Sequence, residues 1–158
     1  MTDLLAYCRE RTDEYVESLK TLVEFESFTR DKPAVDKLAD YMVGQLEGLG
    51  ATVKRFPREA VGDILLAKWN ADAPGKPITF VSHMDTVWPA GTLAKRPVRI
   101  EDGRLYGPGS VDMKAGLALI LDSIRVLRDR GEFPNRPIWS LMTSDEEIGS
   151  INSHEIIK

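Results

Sequence analysis

The sequence has 158 residues, of which 42% are hydrophobic and 29% are charged, and its formal net charge is -4. This balance is ordinary for a globular domain and offers no basic surface for nucleic acid or an anionic membrane. No apolar run reaches the roughly 20 residues that span a bilayer, and the first residues lack the apolar core of a secretory signal. Cys8 is the only cysteine, so no internal disulfide can form and a cytoplasmic protein is predicted.

Helical patterns come first along the chain. Apolar residues at helical spacing predict one helix over 4–25, with Cys8 on its apolar side as a buried, inert thiol. A second helix is predicted over 34–49, where glycines mark its end.

Strand patterns follow, and a further helix lies among them. ATVKRF, DILLAKW and PITFVSH are typical of strands, and PVRIEDGRLYG predicts a hairpin around Asp102 and Gly103. The segment 113–130 is apolar almost all round, which predicts a buried helix, and RPIWSLMTS is the next strand. This order predicts an α/β fold in which helices flank a layered mixed sheet.

Side chains that suit a metal ion stand at the ends of these elements. His83 and Asp85 follow the strand PITFV, Asp112 precedes the buried helix, and Glu146 and Glu147 follow the strand IWSLM. Ligands gather outside the carboxyl ends of strands in open α/β sheets, and crowded carboxylates need a cation to offset their repulsion. A histidine with several carboxylates suits zinc or a similar divalent ion, and two such ions would share one carboxylate. On an extended segment Glu146 and Glu147 face opposite sides, so they can take different roles.

Each of these residues also has a plain structural interpretation. Asp112 alone is typical of a helix N-cap, and a lone His83 is more often a hydrogen-bonded core residue than a ligand. A run of acids is usually a solvated loop, and Asp145 is interpreted as a structural turn residue. Lys114 is not followed by Ser or Thr, which makes a phosphate-binding loop a weak alternative.

Two other groups of polar residues stand outside this pattern. Lys95, Arg96 and Arg99 are either solvated charges or a basic stretch that steers an anionic substrate. His154 is interpreted as a surface residue.

Three motifs together resemble one enzyme family. SHMDTV, YGPGSVDMKAG and TSDEEIGS, in that order and spacing, resemble the co-catalytic zinc peptidases. That family includes glutamate carboxypeptidase, acetylornithine deacetylase, succinyl-diaminopimelate desuccinylase and aminoacylase. The stretch from His83 to Gly109 most resembles the glutamate carboxypeptidase branch. The resemblance implies that residues 1–158 are the N-terminal part of a zinc-exopeptidase-like catalytic domain.

The resemblance also implies a role for each motif residue. His83 would bind one zinc ion, Glu147 the other, and Asp112 would bridge both. Glu146 would be the general base that takes a proton from the attacking water and passes it to the leaving amine. Asp85 would orient His83, and a cis peptide bond would follow Asp112. The implied cofactors are two Zn²⁺ ions, for which Co²⁺ is a possible substitute.

The family pattern extends beyond this chain. INSHEIIK begins a helical pattern that stops after barely two turns, and we interpret the chain as truncated, the front part of a longer protein. In relatives, a third ligand for each zinc ion and a lid or dimerisation domain lie beyond this point. We therefore expect the longer form to hydrolyse an amide bond in a small peptide or N-acyl amino acid, with a homodimer as one implied assembly. The 158 residues alone are expected to be inactive.

Three alternatives stay open. A deacylase of the acetylornithine or succinyl-diaminopimelate type shares all three motifs with the peptidases. A non-catalytic module could hold calcium or magnesium with its carboxylates, although His83 would then lack a role. An interaction protein could carry the acids as a solvated patch.

Overall fold

The computed structural model describes residues 3–158, in which helices lie against a four-stranded mixed sheet. The helices are α1 Leu4–Glu10, α2 Thr12–Glu24, α3 Lys32–Gly48, α4 Thr92–Lys95, α5 Ala115–Arg130 and α6 His154–Ile157. The strands are β1 Thr52–Phe56, β2 Ile64–Trp69, β3 Ile78–His83, β4 Arg99–Glu101, β5 Arg104–Tyr106 and β6 Ile138–Thr143. The predicted fold class, a mixed sheet flanked by helices, is confirmed.

The order of strands in the main sheet is β1-β2-β6-β3. The β1–β2 and β2–β6 pairs are antiparallel, whereas β3 and β6 are parallel, with His83 opposite Thr143. Because parallel strands end at the same edge of a sheet, the segments that follow β3 and β6 emerge side by side. This pairing places the segment with His83 and Asp85 next to the segment with Glu146 and Glu147.

The core lies between the sheet and the helices α2, α3 and α5. One face of each helix is apolar and buried, which stabilises the helix by packing rather than by intrinsic propensity. The fully buried core side chains include Leu22, Leu38, Met42, Leu46, Leu65, Leu117, Leu121, Ile124 and Met142.

A separate hairpin is formed by β4 and β5, as the sequence predicts. Asp102 and Gly103 occupy its turn with φ of 49° and 72°. Positive φ at both central positions matches the twist of the flanking strands, and Asp-Gly is a favoured pair for such turns.

The first helix is broken and less buried than its pattern predicts. Arg11 separates α1 from α2, and Cys8 on α1 is exposed rather than buried. Among residues 3–158, nothing covers the outer face of α1, so Leu4 and Leu5 are also exposed. The thiol instead lines an apolar groove of about 450 Å³ between α1, α2 and α5.

Two apolar patterns also prove to be only half buried. Leu119 on α5 is 54% exposed, so this helix buries one side rather than its whole circumference. Val81 on β3 is 59% exposed, because within residues 3–158 this strand forms the edge of the sheet and pairs only with β6. An apolar run by itself does not distinguish a central strand from an edge strand.

Residues 3–158 include no helix that combines the length and the hydropathy needed to cross a membrane.

Candidate metal centre

The candidate centre forms where β3 and β6 end at one edge of the sheet. His83 is the last residue of β3 and is buried. The short 3₁₀ turn Glu146–Ile148 begins three residues after β6 ends and carries both glutamates. Asp112 lies in the irregular turn 110–114 that leads into α5. The parallel register of β3 and β6 brings the His83 motif and the Glu146–Glu147 motif together, and the turn before α5 adds Asp112.

One imidazole and two carboxylates converge at this edge. His83, Asp112 and Glu147 each offer one ligand atom, and the three atoms lie within 4.8 Å of one another. His83 Nε2 lies 3.0 Å from Asp112 Oδ1, and the Asp112 side chain is 74% exposed. Nitrogen and carboxylate oxygen donors at this spacing suit a divalent cation such as zinc. The residues present therefore fit the metal that the sequence predicts.

Glu146 lies beside this group rather than within it. Its Oε2 atom is 3.9 Å from His83 Nε2, and its side chain is half exposed. Glu146, His83 and Asp112 line the same open cavity of about 340 Å³. The glutamate can therefore reach a molecule that is bound in front of the His83 imidazole.

The orientation of His83 is fixed from behind. Its Nδ1 atom lies 3.1 Å from the carbonyl oxygen of Asp85 and 3.4 Å from Asp85 Oδ1. A carbonyl oxygen can only accept a hydrogen bond, so Nδ1 donates and Nε2 faces Asp112. Burial opposes the charge of this imidazole, but Asp85 and Asp112 outweigh that effect and raise the pKa of His83 to about 9. A metal ion bound at Nε2 would replace the proton there.

The carboxylates repel one another without a cation. Burial and the neighbouring Asp112 raise the pKa of Glu147, although His83 acts in the opposite direction. Crowded acids of this kind favour either a proton or a metal ion between them. A cation bound beside Glu147 would therefore relieve this repulsion.

Asp85 is fully buried and connects the two acidic motifs. Besides its contact with His83, it accepts hydrogen bonds from the backbone N–H groups of Glu146 and Glu147 at 3.3 and 3.2 Å, and from the Thr29 hydroxyl at 2.8 Å. Burial opposes its charge, but these donors and His83 hold the pKa of Asp85 below its ordinary value. Its side chain faces the protein rather than the cavity.

Asp145 is also fully buried and holds the loop that follows it, in line with its structural interpretation. It accepts hydrogen bonds from the backbone and side-chain nitrogens of Asn152 and from the Ser153 hydroxyl. These donors fix the loop that follows the 3₁₀ turn. Asp145 therefore does not belong to the cation site.

One alternative interpretation and one prediction about this region are wrong. Asp112 does not cap α5, because the residue before that helix is Lys114 and the Asp112 carboxylate contacts His83 instead. Glu146 and Glu147 do not alternate on an extended segment, because the chain turns into a 3₁₀ helix there. The cis peptide bond between Asp112 and Met113 is present, as the family resemblance implies.

Gly109 explains how the Asp112 turn comes close to β3. Its φ is 70°, and a Cβ atom at this position would lie 2.7 Å from Thr86 Cγ2. Only glycine combines this backbone conformation with such a close approach. The glycine therefore allows Asp112 to reach His83.

Sequence reasoning missed the support behind the site. Lys114 is almost completely buried, and its ammonium group donates to the carbonyl oxygen of Phe25. Burial lowers the pKa of Lys114 to about 8, although the nearby Glu26 acts in the opposite direction. Thr29, which donates to Asp85, is buried too. Thr29 is distant in sequence from Asp85, and Lys114 is distant from Phe25, so no local pattern identifies these contacts.

The basic stretch lies next to the Asp112 turn. Arg96 stacks on Trp88 at 4.8 Å, and Arg99 stacks on Tyr106 at 4.5 Å. Both guanidinium groups line a cleft of about 150 Å³ whose wall includes Ser110. Lys95 and His154 are exposed.

Comparison with curated proteins gives two enzyme relatives. The chain is 36% identical over 145 residues to carboxypeptidase G2 of Pseudomonas sp. (strain RS-16), a match that covers 90% of this chain and 35% of the relative. It is 36% identical over 129 residues to succinyl-diaminopimelate desuccinylase of Rhodospirillum centenum (strain ATCC 51521 / SW), covering 76% and 33%. The chain thus spans about a third of the length of the curated relatives it matches.

Solved structures show the same fold. Human carnosine dipeptidase 1 superposes with a TM-score of 0.84 at 22% identity, covering 96% of this chain and 36% of that one. The M20 family metallo-carboxypeptidase Sso-CP2 from Sulfolobus solfataricus gives a TM-score of 0.77 at 25% identity, covering 91% and 33%.

A family model agrees with these relatives. Residues 79–158 match the model of peptidase family M20/M25/M40, and this range contains all three motifs whose side chains converge at the sheet edge. The match covers half of the chain, and the curated and structural relatives cover most of the rest. The chain belongs to peptidase family M20/M25/M40.

Proposed function

We propose that this chain takes part in the metal-dependent hydrolysis of an amide bond in a small peptide or an N-acyl amino acid. The observation that carries the proposal is the convergence of His83, Asp112 and Glu147, whose ligand atoms lie within 4.8 Å of one another at the edge of the sheet. The similarity to carboxypeptidase G2 favours removal of a C-terminal residue. The resemblance of the motifs to the glutamate carboxypeptidase branch makes glutamate the first residue to test.

We assign this donor set to two ions, as the family resemblance implies. His83 would hold one zinc ion, Glu147 would hold the second, and the exposed Asp112 carboxylate would be shared by both. When bound, zinc ions supply Lewis acidity that polarises the scissile carbonyl and brings the pKa of a water molecule toward neutrality.

Glu146 is the proposed general base. It lines the same cavity as His83, with Oε2 3.9 Å from the imidazole nitrogen, and its half-exposed side chain is free to reorient. It takes a proton from the attacking water as the water oxygen bonds to the carbonyl carbon. As the C–N bond breaks, Glu146 gives this proton to the leaving amine. Asp85 keeps the imidazole of His83 in place throughout.

The first test is the zinc content of the chain after equilibrium dialysis. We expect zinc to bind to the wild type and to be lost in Asp112→Ala. Asp72→Ala is the matched control, because Asp72 is exposed in the turn that joins β2 to β3, at the other end of these strands. Zinc that persists in Asp112→Ala would show that this carboxylate is not a ligand.

The second candidate is N-deacylation, which the 36% identity to the desuccinylase favours. A peptide with C-terminal glutamate and an N-succinyl amino acid, each assayed with zinc in a form as long as the relatives, separate the two activities. Glu146→Gln is the control for both substrates, because it removes the base and keeps the proposed ligands. We expect a loss of roughly 10²–10⁴-fold in any activity.

We expect the 158 residues alone to be inactive, because the residues proposed here give each zinc ion one private ligand and a share of Asp112. Hydrolysis by the purified chain that Glu146→Gln abolishes would overturn this expectation and support the proposed chemistry. Stoichiometric zinc without hydrolysis, in a form as long as the relatives, would favour a non-catalytic metal-binding module. The single cysteine supports a cytoplasmic setting.

A further inference from the structure

The segment 25–29 contacts Asp85 and Lys114, which lie beside the proposed ligands His83 and Asp112 in the sequence. We call this segment the strap. Its residue Phe28 forms a parallel β-bridge with Thr86, next to Asp85. The backbone N–H of Thr86 donates to Ser27 at 2.8 Å, and the N–H of Thr29 donates to Thr86 at 3.0 Å. The strap therefore runs along the segment that follows β3, outside all three sequence motifs.

Thr29 is the point where the strap reaches the site. Its hydroxyl lies 2.8 Å from Asp85 Oδ2 and 3.1 Å from the carbonyl oxygen of Thr86. The single hydroxyl proton favours Asp85, because that oxygen is closer and charged. Both Thr29 and Asp85 are almost completely buried, so water does not replace this donor if it is removed.

Asp85 connects Thr29 to His83 and to the turn that carries Glu146 and Glu147. The oxygen that accepts from Thr29 also accepts from the backbone N–H of Glu147. The other oxygen lies next to His83 Nδ1 and accepts from the backbone N–H of Glu146. A rotation of this carboxylate would therefore disturb the imidazole and the 3₁₀ turn together.

The other end of the strap is tied to the third motif. Lys114, two residues after Asp112, donates to the carbonyl oxygen of Phe25. A buried ammonium group is costly unless it has such acceptors. The strap thus contacts Asp85, which holds His83 and the turn with Glu147, and Lys114, which follows Asp112 closely in the chain.

We propose that Thr29 is a positioning residue for the metal centre, which acts through Asp85 on His83 and on the turn that carries Glu146 and Glu147. This inference rests on the metal site of the proposed function and adds a residue outside its motifs. Partners of metal ligands that do not touch the ion typically change metal affinity by about 10–100-fold when they are removed. Because Thr29 acts through one further residue, we expect an effect of about 10-fold.

The test compares Thr29→Val, Thr29→Ser and wild type. Valine keeps the shape of the side chain and removes the hydroxyl, whereas serine keeps the hydroxyl and removes a methyl group. Zinc affinity is measured by competition with a chromophoric chelator, and the visible absorption of bound Co²⁺ reports the ligand geometry. Melting temperatures of the metal-free proteins give the stability of each variant. Thr21→Val on the outside of α2 is the matched control.

We expect about 10-fold weaker zinc binding and an altered Co²⁺ spectrum in Thr29→Val, with both properties close to wild type in Thr29→Ser and Thr21→Val. Wild-type zinc affinity and spectrum in Thr29→Val would overturn the inference, whatever its melting temperature. If Thr29→Val does not fold, Thr29→Ala makes the same comparison with serine. Zinc bound by wild type but not by Asp112→Ala would sustain the proposed function even where Thr29 has no effect. Absence of zinc from wild type, in a form as long as the relatives, would overturn both.

Discussion

Two fully buried carboxylates, Asp85 and Asp145, each lie two residues from a proposed ligand in the sequence, and their partners explain their different roles. Among residues 3–158, the Asp145 side chain accepts only from the loop that follows it, at Asn152 and Ser153. Asp85 accepts from two separate segments, at Thr29 and at the neighbouring residues Glu146 and Glu147, and it also contacts His83. At the scale of single residues, the partners of a buried charge identify its task better than its position in a motif does.

The variant Glu147→Gln tests whether Glu147 is a metal ligand or a carboxylate that stabilises the fold. We expect zinc affinity to fall by roughly 100-fold or more, since loss of a ligand exceeds the effect of its supporting partners. The metal-free variant should be at least as stable as wild type, because one of the crowded carboxylates is neutralised. Chelator competition and thermal melting measure the two quantities.

Glu59→Gln, the same change in an exposed loop, serves as the control for this pair of measurements. A marked fall in the melting temperature of metal-free Glu147→Gln would show that this carboxylate stabilises the fold instead. Unchanged zinc affinity would remove Glu147 from the set of ligands.

The sequence predicts the members of the site better than their geometry. The hydrophobic pattern predicts the strand that ends at His83 and the strand that precedes Glu147, because short apolar runs between turn residues indicate strands. The 3₁₀ turn at Glu146 and the buried partners Thr29 and Lys114 were not predicted. Their conformation depends on contacts with residues more than fifty positions away, such as Asp85 and Phe25, and a local pattern carries no record of such contacts.

At the scale of elements, Asp63 joins α3 to the first two strands. This nearly buried carboxylate accepts from Lys32 at 2.7 Å, from Arg55 at 2.6 Å and from the backbone N–H of Arg58 at 3.0 Å. Lys32 begins α3 and Arg55 lies on β1, so one side chain fixes three segments. Burial opposes its charge, but these donors hold the pKa of Asp63 below its ordinary value.

Asp63→Asn tests this junction. We expect a loss of about 2 kcal/mol in the free energy of unfolding at neutral pH, the scale of hydrogen bonds to a charged group. Because the folded pKa is lowered, the contribution is fully present above the unfolded pKa of about 3.9 and is lost as pH falls through the folded value. The difference between wild type and variant should therefore shrink in acid, which urea unfolding at several pH values measures.

Asp40→Asn is the matched control for this junction. Asp40 also pairs with Arg55, but its side chain is 66% exposed, and exposed pairs contribute about 0–1 kcal/mol. Equal losses in the two variants, or a loss at Asp63 that does not depend on pH, would contradict the role of Asp63 as a buried junction.

Element bounds show where pattern reasoning succeeds and where it fails. The strands β2, β3 and β6 lie within one or two residues of their predicted segments, since apolar runs between turn residues are strong signals. The break at Arg11 and the exposure of Cys8 were not predicted. Helical spacing describes which face is apolar, but only the packing of neighbouring elements decides whether that face is covered.

At the scale of the whole molecule, the candidate centre connects segments that are far apart in the chain. His83 ends β3, Asp112 precedes α5, and Glu147 follows β6. An ion held by all three would link the sheet edge to the helix that packs on it. In the unfolded chain these groups are separate, so the ion would bind the folded state preferentially.

Zinc should therefore stabilise the entire chain. At a free zinc concentration 100 times the dissociation constant, preferential binding adds about 2.7 kcal/mol to the free energy of unfolding. For a chain of this size that corresponds to a rise of roughly 5–10 °C in the melting temperature. We expect this rise in wild type and in the control Asp72→Ala, its reversal by a chelator, and its absence in Asp112→Ala. An equal rise in Asp112→Ala would place the bound zinc elsewhere on the chain. Bound zinc without any rise would mean that the ion does not link these segments.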